Sequence, residues 1–237
     1  MKYIVSHKYR FVYFVVPKAA CTSIKTALIP VFNLSEEGYW RKNQFGELRL
    51  QVHDLFDNSP NQINRKRLEA IWGKQLHTYT KFTFVRNPWD RLVSCWTHKF
   101  KDRIRFAGDS YLKPVEPPAN KPDLFDFEMS FEEFAKAVSN TPDEYSDIHF
   151  RSQYTILQSS WKQQNLLPNF IGKVENIDDD FAKLASKLKL EDTLKLDHMM
   201  KSRSREFPSY RDYYDDTLRA LIAARYARDI HEFGYTF

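Results

Sequence analysis

The stretch Tyr9-Arg10-Phe11-Val12-Tyr13-Phe14-Val15-Val16-Pro17-Lys18-Ala19-Ala20-Cys21-Thr22-Ser23 decides the fold. From Tyr9 to Val16 it is β-branched and aromatic with almost nothing polar, the composition of a strand buried on both faces of a parallel sheet. Pro17 stops that strand. From Ser23 to Phe32 the apolar residues Ile24, Ala27, Leu28 and Val31 recur on one face, which predicts a short helix. Strand, tight loop and helix make the first half of a βαβ unit.

The pattern returns at Lys81 to Val85, followed by Arg86-Asn87-Pro88 and a helix from about Trp89. Pro88 can open this helix because its missing N–H costs nothing at the first position. Leu92, Val93, Trp96 and Phe100 form the buried stripe. A third strand is expected at Asn169 to Lys173, before a helix from Ile177 to Leu188 with Ile177, Phe181, Leu184, Ala185 and Leu188 in register. A last helix is expected from Tyr213 to Ile230. The alternation predicts an α/β fold, a P-loop-like three-layer sandwich whose mainly parallel central sheet is flanked by helices. Residues 106–130, which include Pro114, Pro117, Pro118 and Pro122, read as a Pro-rich loop insertion. Ser130 with Glu133 makes a capping box that restarts order at Phe131.

At 237 residues the chain reads as a single domain, 1–237. Aromatic residues reach 16%, enough for a core of large side chains and for rings that stack on a base or sugar. Lys and Arg number 36 against 31 Asp and Glu, a net +5 that fits an anionic small ligand or acidic polymer and is too weak to argue for nucleic acid. No apolar run is long enough for a transmembrane helix, and the first residues carry no signal-peptide pattern. Cys21 and Cys95 form no motif, so a reducing, cytoplasmic location is the expectation. Without a secretory signal, the sequon Asn33-Leu34-Ser35 reads as a chance match.

Two segments carry anion-binding chemistry. In Pro17-Lys18-Ala19-Ala20-Cys21-Thr22-Ser23, small residues let the backbone approach an anion, and the helix behind offers N–H groups and the positive end of its dipole. Lys18 adds a mobile charge, and Thr22 and Ser23 add hydroxyls. The loop has no glycine and no Walker spacing, which weakens a nucleoside-triphosphatase reading. An ordinary capped helix after a strand is the bland alternative. In the second segment, Phe84 to Ser94, Arg86 ends a strand where open α/β sheets bind ligands. Ser94 lies about two turns into the next helix, and an Arg fork with a hydroxyl can clamp a phosphate. Arg91 is expected to pair with Asp90 or a neighbouring carboxylate. Two such sites call for a ligand with two separated anionic groups, the shape of 3′-phosphoadenosine 5′-phosphosulfate (PAPS).

These residues resemble a known family. Pro17 to Ser23 is similar to the 5′-phosphosulfate loop of the Golgi carbohydrate sulfotransferases, and Tyr79 to Ser94 to their 3′-phosphate motif. The chondroitin 4-O-sulfotransferase type (sulfotransferase family 2) is most similar, heparan sulfate 2-O-sulfotransferases less so. Ile148 to Gln153, Ile171 to Glu175 and Tyr226 to Tyr235 resemble further patches of the same family. Ala20 stands where many sulfotransferases place glycine, though the chondroitin type tolerates alanine there.

The resemblance implies in-line transfer of a sulfuryl group from PAPS to a hydroxyl, on a carbohydrate acceptor, with no metal required. It implies cofactor binding by Lys18, Ala19, Ala20, Cys21, Thr22, Ser23, Arg86 and Ser94. A late basic loop, Lys201-Ser202-Arg203, would close on the 3′-phosphate, although a solvated loop is an equal reading. Lys18 is the candidate for stabilising the leaving oxygen. A histidine base fits near neutral pH. His53, 33 positions ahead of Arg86, is the first candidate because similar enzymes keep a histidine at a comparable distance. His149 is the second and His77 the third, with Asp54 or Glu175 as carboxylate alternatives. His7, His98, His198 and His231 read as surface or structural residues. Lys99, Lys101, Arg103 and Arg105 read as cations at a helix C-terminus before they read as a glycan contact. Two other functions compete: a P-loop kinase or nucleotide hydrolase, and a non-catalytic nucleotide- or glycan-binding relative.

Overall fold

The computed structural model describes residues 1–43, 45–101, 124–126, 128–158, 167–196 and 209–237. The chain divides into two compact units. The first holds Met1–Arg41, Leu48–Val85 and Leu157–Glu206; the second holds Lys42–Glu47, Arg86–Ile156 and Phe207–Phe237.

The first unit is built on a sheet. Its strands are β1 (Lys2–Ser6), β2 (Phe11–Phe14), β5 (Gln62–Asn64), β6 (Thr80–Val85) and β7 (Phe170–Lys173), in the order β5-β1-β2-β6-β7. A short hairpin, β3 (Trp40–Lys42) and β4 (Leu48–Leu50), stands apart from them. β2 pairs in parallel with β6, and β6 with β7, whereas β1 runs antiparallel to both β2 and β5. The sheet is therefore mainly parallel, with β1 the one strand opposed.

Side chains at Phe11, Val12, Tyr13 and Phe14 of β2 are fully buried, as are Phe82, Thr83, Phe84 and Val85 of β6. That burial on both faces is what the apolar run at Tyr9 to Val16 predicts. One face carries Ile4, Phe11, Tyr13, Phe82 and Phe84. It is covered by α1 (Cys21–Phe32), α2 (Val52–Asp57) and α7 (Ile177–Leu188). Tyr13 and Phe82 stack there with centroids 4.9 Å apart. The helix α3 (Arg65–Gln75) lies beside β1 and β5.

The second unit is helical among its described residues. It contains α4 (Pro88–Trp96), α5 (Phe131–Ser139), α6 (Gln153–Gln158), whose last turn passes into the first unit, α8 (Asp216–Arg225) and α9 (Ala227–Phe233). Trp89, Leu92, Phe100, Phe131, Phe134, Phe150 and Tyr226 belong to its largely aromatic core. Pro88 opens α4, with the Asn87 side chain accepting the Trp89 N–H at 3.1 Å. The capping box of Ser130 and Glu133 is formed at α5.

Three differences from the sequence reading have local causes. Strand β2 begins at Phe11 because Arg10 takes a left-handed conformation (φ 52°) that turns the hairpin from β1. The expected helix from Tyr213 to Ile230 is two helices. Asp215 caps α8 by accepting the Leu218 N–H, and the chain turns at Tyr226, whose buried hydroxyl donates to the Phe150 carbonyl. After α4, Thr97–Lys101 form a π-helical turn with Lys101 over the Trp96 ring. Arg103, Arg105 and residues 106–123 of the Pro-rich segment lie outside the described residues.

Gly172 of β7 faces Phe84 of β6 in the parallel register. A β-carbon at Gly172 would stand 2.7 Å from Phe84 Cδ1, in a ring that is fully buried and cannot move aside. Gly172→Ala is expected to destabilise the protein by about 1–3 kcal/mol, the range for overpacking. Chemical denaturation should show this loss, and adding Phe84→Leu to Gly172→Ala should recover part of it.

Candidate active site

Strands β2 and β6 are parallel, so the chain leaves the sheet after both at the same edge. After β2 it bends through two left-handed residues, Lys18 (φ 66°) and Ala20 (φ 56°, ψ 22°). A residue with a β-carbon pays about 1–2 kcal/mol there, and such strain collects at ligand-binding turns. Glycine would adopt the Ala20 conformation without strain.

Ala19, between the two bends, is fully buried. Ala20 is the N-cap of α1, and no side chain caps the helix. The first turn of α1 also holds no acidic residue. The orphan amides and positive dipole end of α1 thus sit behind a turn of methyl-sized side chains, the requirements of an anion cradle.

Two further groups join this turn. His53, exposed at the start of α2, places Nε2 3.1 Å from Thr22 Oγ1 and Nδ1 3.3 Å from Lys25 Nζ. Thr22 and Lys25 are one helical turn apart on α1, so both reach the same imidazole. Lys25 is 1% exposed, and its ammonium stands 5.5 Å from the Phe56 ring centroid. Burial lowers its pKa to about 8, partly opposed by Cys21, Asp57 and Asp54. Nothing in the sequence marks Lys25, because a lysine within a helix carries no pattern that shows it to be buried.

In the second unit, Arg86 donates from Nε and Nη2 to both oxygens of Asp90, at 2.7 and 2.8 Å. The fork on Asp90 thus belongs to Arg86, one helical turn away, and the neighbouring carboxylate on which Arg91 acts is Asp229. The Arg91 guanidinium is buried and donates to the carbonyls of Arg151 and Ile148.

The Arg86 backbone is clamped as well. Its N–H donates to Gln153 Oε1 at 2.9 Å, and Gln153 Nε2 donates to its carbonyl at 2.8 Å. Gln153 is fully buried, and its own N–H donates to Asp229, also fully buried, which accepts the Tyr154 N–H too. Burial raises the Asp229 carboxyl, while these two amides and Arg91 favour its charge. The sequence reading named the segments holding Gln153 and Asp229 only as family patches; their roles depend on a meeting 76 residues apart.

Ser94 is half-buried in the last turn of α4. His149 places Nδ1 2.6 Å from Asp147 Oδ1. His7 pairs with the Tyr79 hydroxyl at 3.0 Å, and His98 and His231 are exposed. Lys201, Ser202, Arg203 and His198 lie outside the described residues, as does the side chain of His77. Among the described residues no helix is long and apolar enough to cross a membrane.

The model of the sulfotransferase family matches residues 1–236, and the chain belongs to that family. It is 27% identical over 213 residues to "Carbohydrate sulfotransferase 12" of Mus musculus, covering 81% of this chain and 49% of that protein. It is 25% identical over 237 residues to "Carbohydrate sulfotransferase 9" of Homo sapiens, covering 95% and 47%. To "Carbohydrate sulfotransferase 14" of Mus musculus it is 27% identical over 180 residues, covering 75% and 44%. The chain spans about half the length of these curated relatives. No solved structure matches it.

The buried lysine has a stability signature. Its folded pKa of about 8 lies below the unfolded value of 10.5. Below pH 8 the charged lysine therefore destabilises the fold in full, and the cost disappears as pH rises through the folded value toward the unfolded one. Lys25→Met is expected to stabilise the protein by roughly 3–4 kcal/mol at neutral pH, from about 1.4 kcal/mol per pKa unit. Denaturant titrations of both proteins should show this gap closing as the pH approaches 10.5.

Proposed function

We propose that this protein is a PAPS-dependent sulfotransferase that moves a sulfuryl group to a hydroxyl of a carbohydrate acceptor, on a P-loop-like three-layer α/β scaffold. The observation that carries the reading is the strained Lys18–Ala20 turn. It leads into a helix with no capping side chain and no acidic residue in its first turn, and His53 is hydrogen-bonded to Thr22 of that turn. Family membership supports the reaction, and similarity to carbohydrate sulfotransferases supports a carbohydrate acceptor.

PAPS supplies the activated sulfuryl group. In this reading the turn from Lys18 to Ser23 holds its 5′-phosphosulfate through backbone amides and hydroxyls. Lys18 stabilises charge on the leaving oxygen. Arg86, pre-oriented by Asp90 and Gln153, and Ser94 hold the 3′-phosphate, with Lys201, Ser202 and Arg203 as further contacts. His53 takes the acceptor's proton at Nε2 in place of the Thr22 contact. In-line transfer needs no metal ion in this scheme.

Nucleotide preference tests the reading directly. Adenosine 3′,5′-bisphosphate is expected to raise Tm far more than ATP with magnesium, because only a ligand matched to the native site stabilises it. The reverse order in a thermal shift assay would overturn the sulfotransferase reading in favour of a nucleotide kinase or hydrolase. Arg86→Ala should weaken binding of the bisphosphate by about 1.5–3 kcal/mol, the size of a charge-assisted hydrogen bond. It should also remove discrimination against nucleotides lacking the 3′-phosphate, as read by calorimetry.

Turnover tests the base. His53→Ala should lower kcat by about 10²–10⁴-fold with little change in PAPS affinity. Lys18→Ala should lower both. Normal turnover by His53→Ala together with an inactive His149→Ala would transfer the role to the His149–Asp147 pair.

A further inference from the structure

We propose that Lys25 acts in its neutral form as the positioning partner of His53, holding the Nδ1–H tautomer and taking up the Nδ1 proton as Nε2 receives one from the acceptor hydroxyl. The inference rests on the sulfotransferase reading of this site and deepens it. It begins from a contradiction in the geometry. Lys25 Nζ lies 3.3 Å from His53 Nδ1, and the opposite nitrogen, Nε2, lies 3.1 Å from Thr22 Oγ1. An ammonium at Lys25 can only donate. It would make Nδ1 an acceptor and place the ring's proton on Nε2, which would then donate to Thr22. In that state His53 has no lone pair to offer on its reactive side.

A neutral amine reverses the arrangement. It accepts from Nδ1–H, and Nε2 becomes an acceptor toward Thr22 or an incoming hydroxyl. The surroundings favour the amine. Lys25 is 1% exposed with the Phe56 ring beside it. Among the described residues no carboxylate lies within ion-pair distance of it, and Asp57, the acidic group of α2 that acts on it most, is held by Lys2 of β1 at 2.6 Å. The charged and titratable groups facing it are Cys21 on α1, His53, Asp54 and Asp57 on α2, and Lys2 on β1. Burial outweighs the groups that favour charge and sets its titration near pH 8.

The step balances. The acceptor's O–H bond breaks and its proton bonds to Nε2 of His53. The Nδ1–H bond breaks and that proton bonds to Nζ of Lys25. The acceptor oxygen bonds to sulfur as sulfur's bond to the nucleotide breaks, and the electron pair leaves with the bisphosphate. Lys25 ends as an ammonium and His53 as the neutral Nε2–H tautomer. The reverse shift returns the proton through His53, which is exposed, to water. The relay couples an exposed imidazole to a stronger base that the solvent does not reach.

Long-range proton–nitrogen correlation spectra of the full chain, with nitrogen-15 labelled histidine, read the tautomer without any need for turnover. From about pH 6 to about pH 10, wild-type His53 should pass from Nε2–H to Nδ1–H as Lys25 loses its proton near pH 8. Lys25→Met should abolish that passage. Identical His53 tautomer behaviour in the two proteins would overturn the proposal.

Kinetics supply a second readout. Wild-type kcat should climb through pH 8. Lys25→Met should lower kcat at least ~10-fold and move the rise to the range of an isolated imidazole, with KM for PAPS nearly unchanged. Lys25→Arg should be worse than Lys25→Met at every pH, because guanidinium keeps its charge and holds His53 as a donor. A purely structural lysine predicts the opposite ranking, with arginine the better substitute, and that result would overturn the relay. If wild type shows the tautomer passage yet transfers no sulfuryl group to any acceptor, the coupling stands and the sulfotransferase reading falls.

Discussion

The parallel pairing of β2 with β6 is the constraint on which the first unit depends. Phe11 to Phe14 lie opposite Thr80 to Thr83, and the central residues of both strands are sealed from water on both faces. Backbone groups buried in this way must bond to each other, and parallel strands must be joined by a long crossover that returns to the same edge. Both consequences serve the site. The ladder holds the end of β2 rigid, and the same edge releases the chain after β2 and after β6. Thr83 adds to the seal by donating its buried hydroxyl to the Phe14 carbonyl at 2.9 Å. β7 completes the arrangement only because Gly172 leaves room for the Phe84 ring.

On this frame the protein tolerates two features that work against stability. One is backbone strain, in the left-handed Lys18 and Ala20. The other is Lys25, an ionisable side chain of α1 that is buried with a histidine and a phenyl ring beside it. Both occur within the turn and first two helical turns that face the proposed donor. Isolated, either would be a defect of a few kcal/mol. The aromatic core of β2, β6, α1 and α7 offsets them. Their concentration at one place is what would be expected where function, and not packing, selects the conformation.

The second unit solves a different problem, the placement of one guanidinium. Arg86 has both its backbone and its side chain fixed, by Gln153 and by Asp90, and Gln153 is fixed in turn by Asp229. A guanidinium oriented in advance loses less freedom on meeting an anion than a solvated one. The bond to Asp90 also moderates its charge, so the phosphate proposed to bind there would meet an ion pair. The family patches around Gln153 and Asp229 therefore have a physical content: they form a buried polar chain that ends at Arg86.

Much of this was legible in the sequence, for reasons of period and composition. The apolar run at Tyr9 to Val16, the Pro88 start and the capping box at Ser130 each express a local rule: α4 and α5 formed where the rule placed them, and β2 formed inside its run, from Phe11 to Phe14. The α7 helix matched its stripe from Ile177 to Leu188 residue for residue. Strand β5, three residues at the sheet edge, is too short to show a period, and β1, between β5 and β2, has no helix or motif beside it in the sequence to mark it. The small residues from Pro17 to Ser23 are the basis for proposing anion chemistry there, and the tertiary structure alone decided that Lys18 and Ala20 are left-handed. It alone paired Arg86 with Asp90, and joined Gln153 to Asp229 across the second unit. The same holds for Lys25. Its helix was evident from the sequence, but its burial against His53 depends on how α2 packs on α1, and a local pattern does not encode contacts between distant segments.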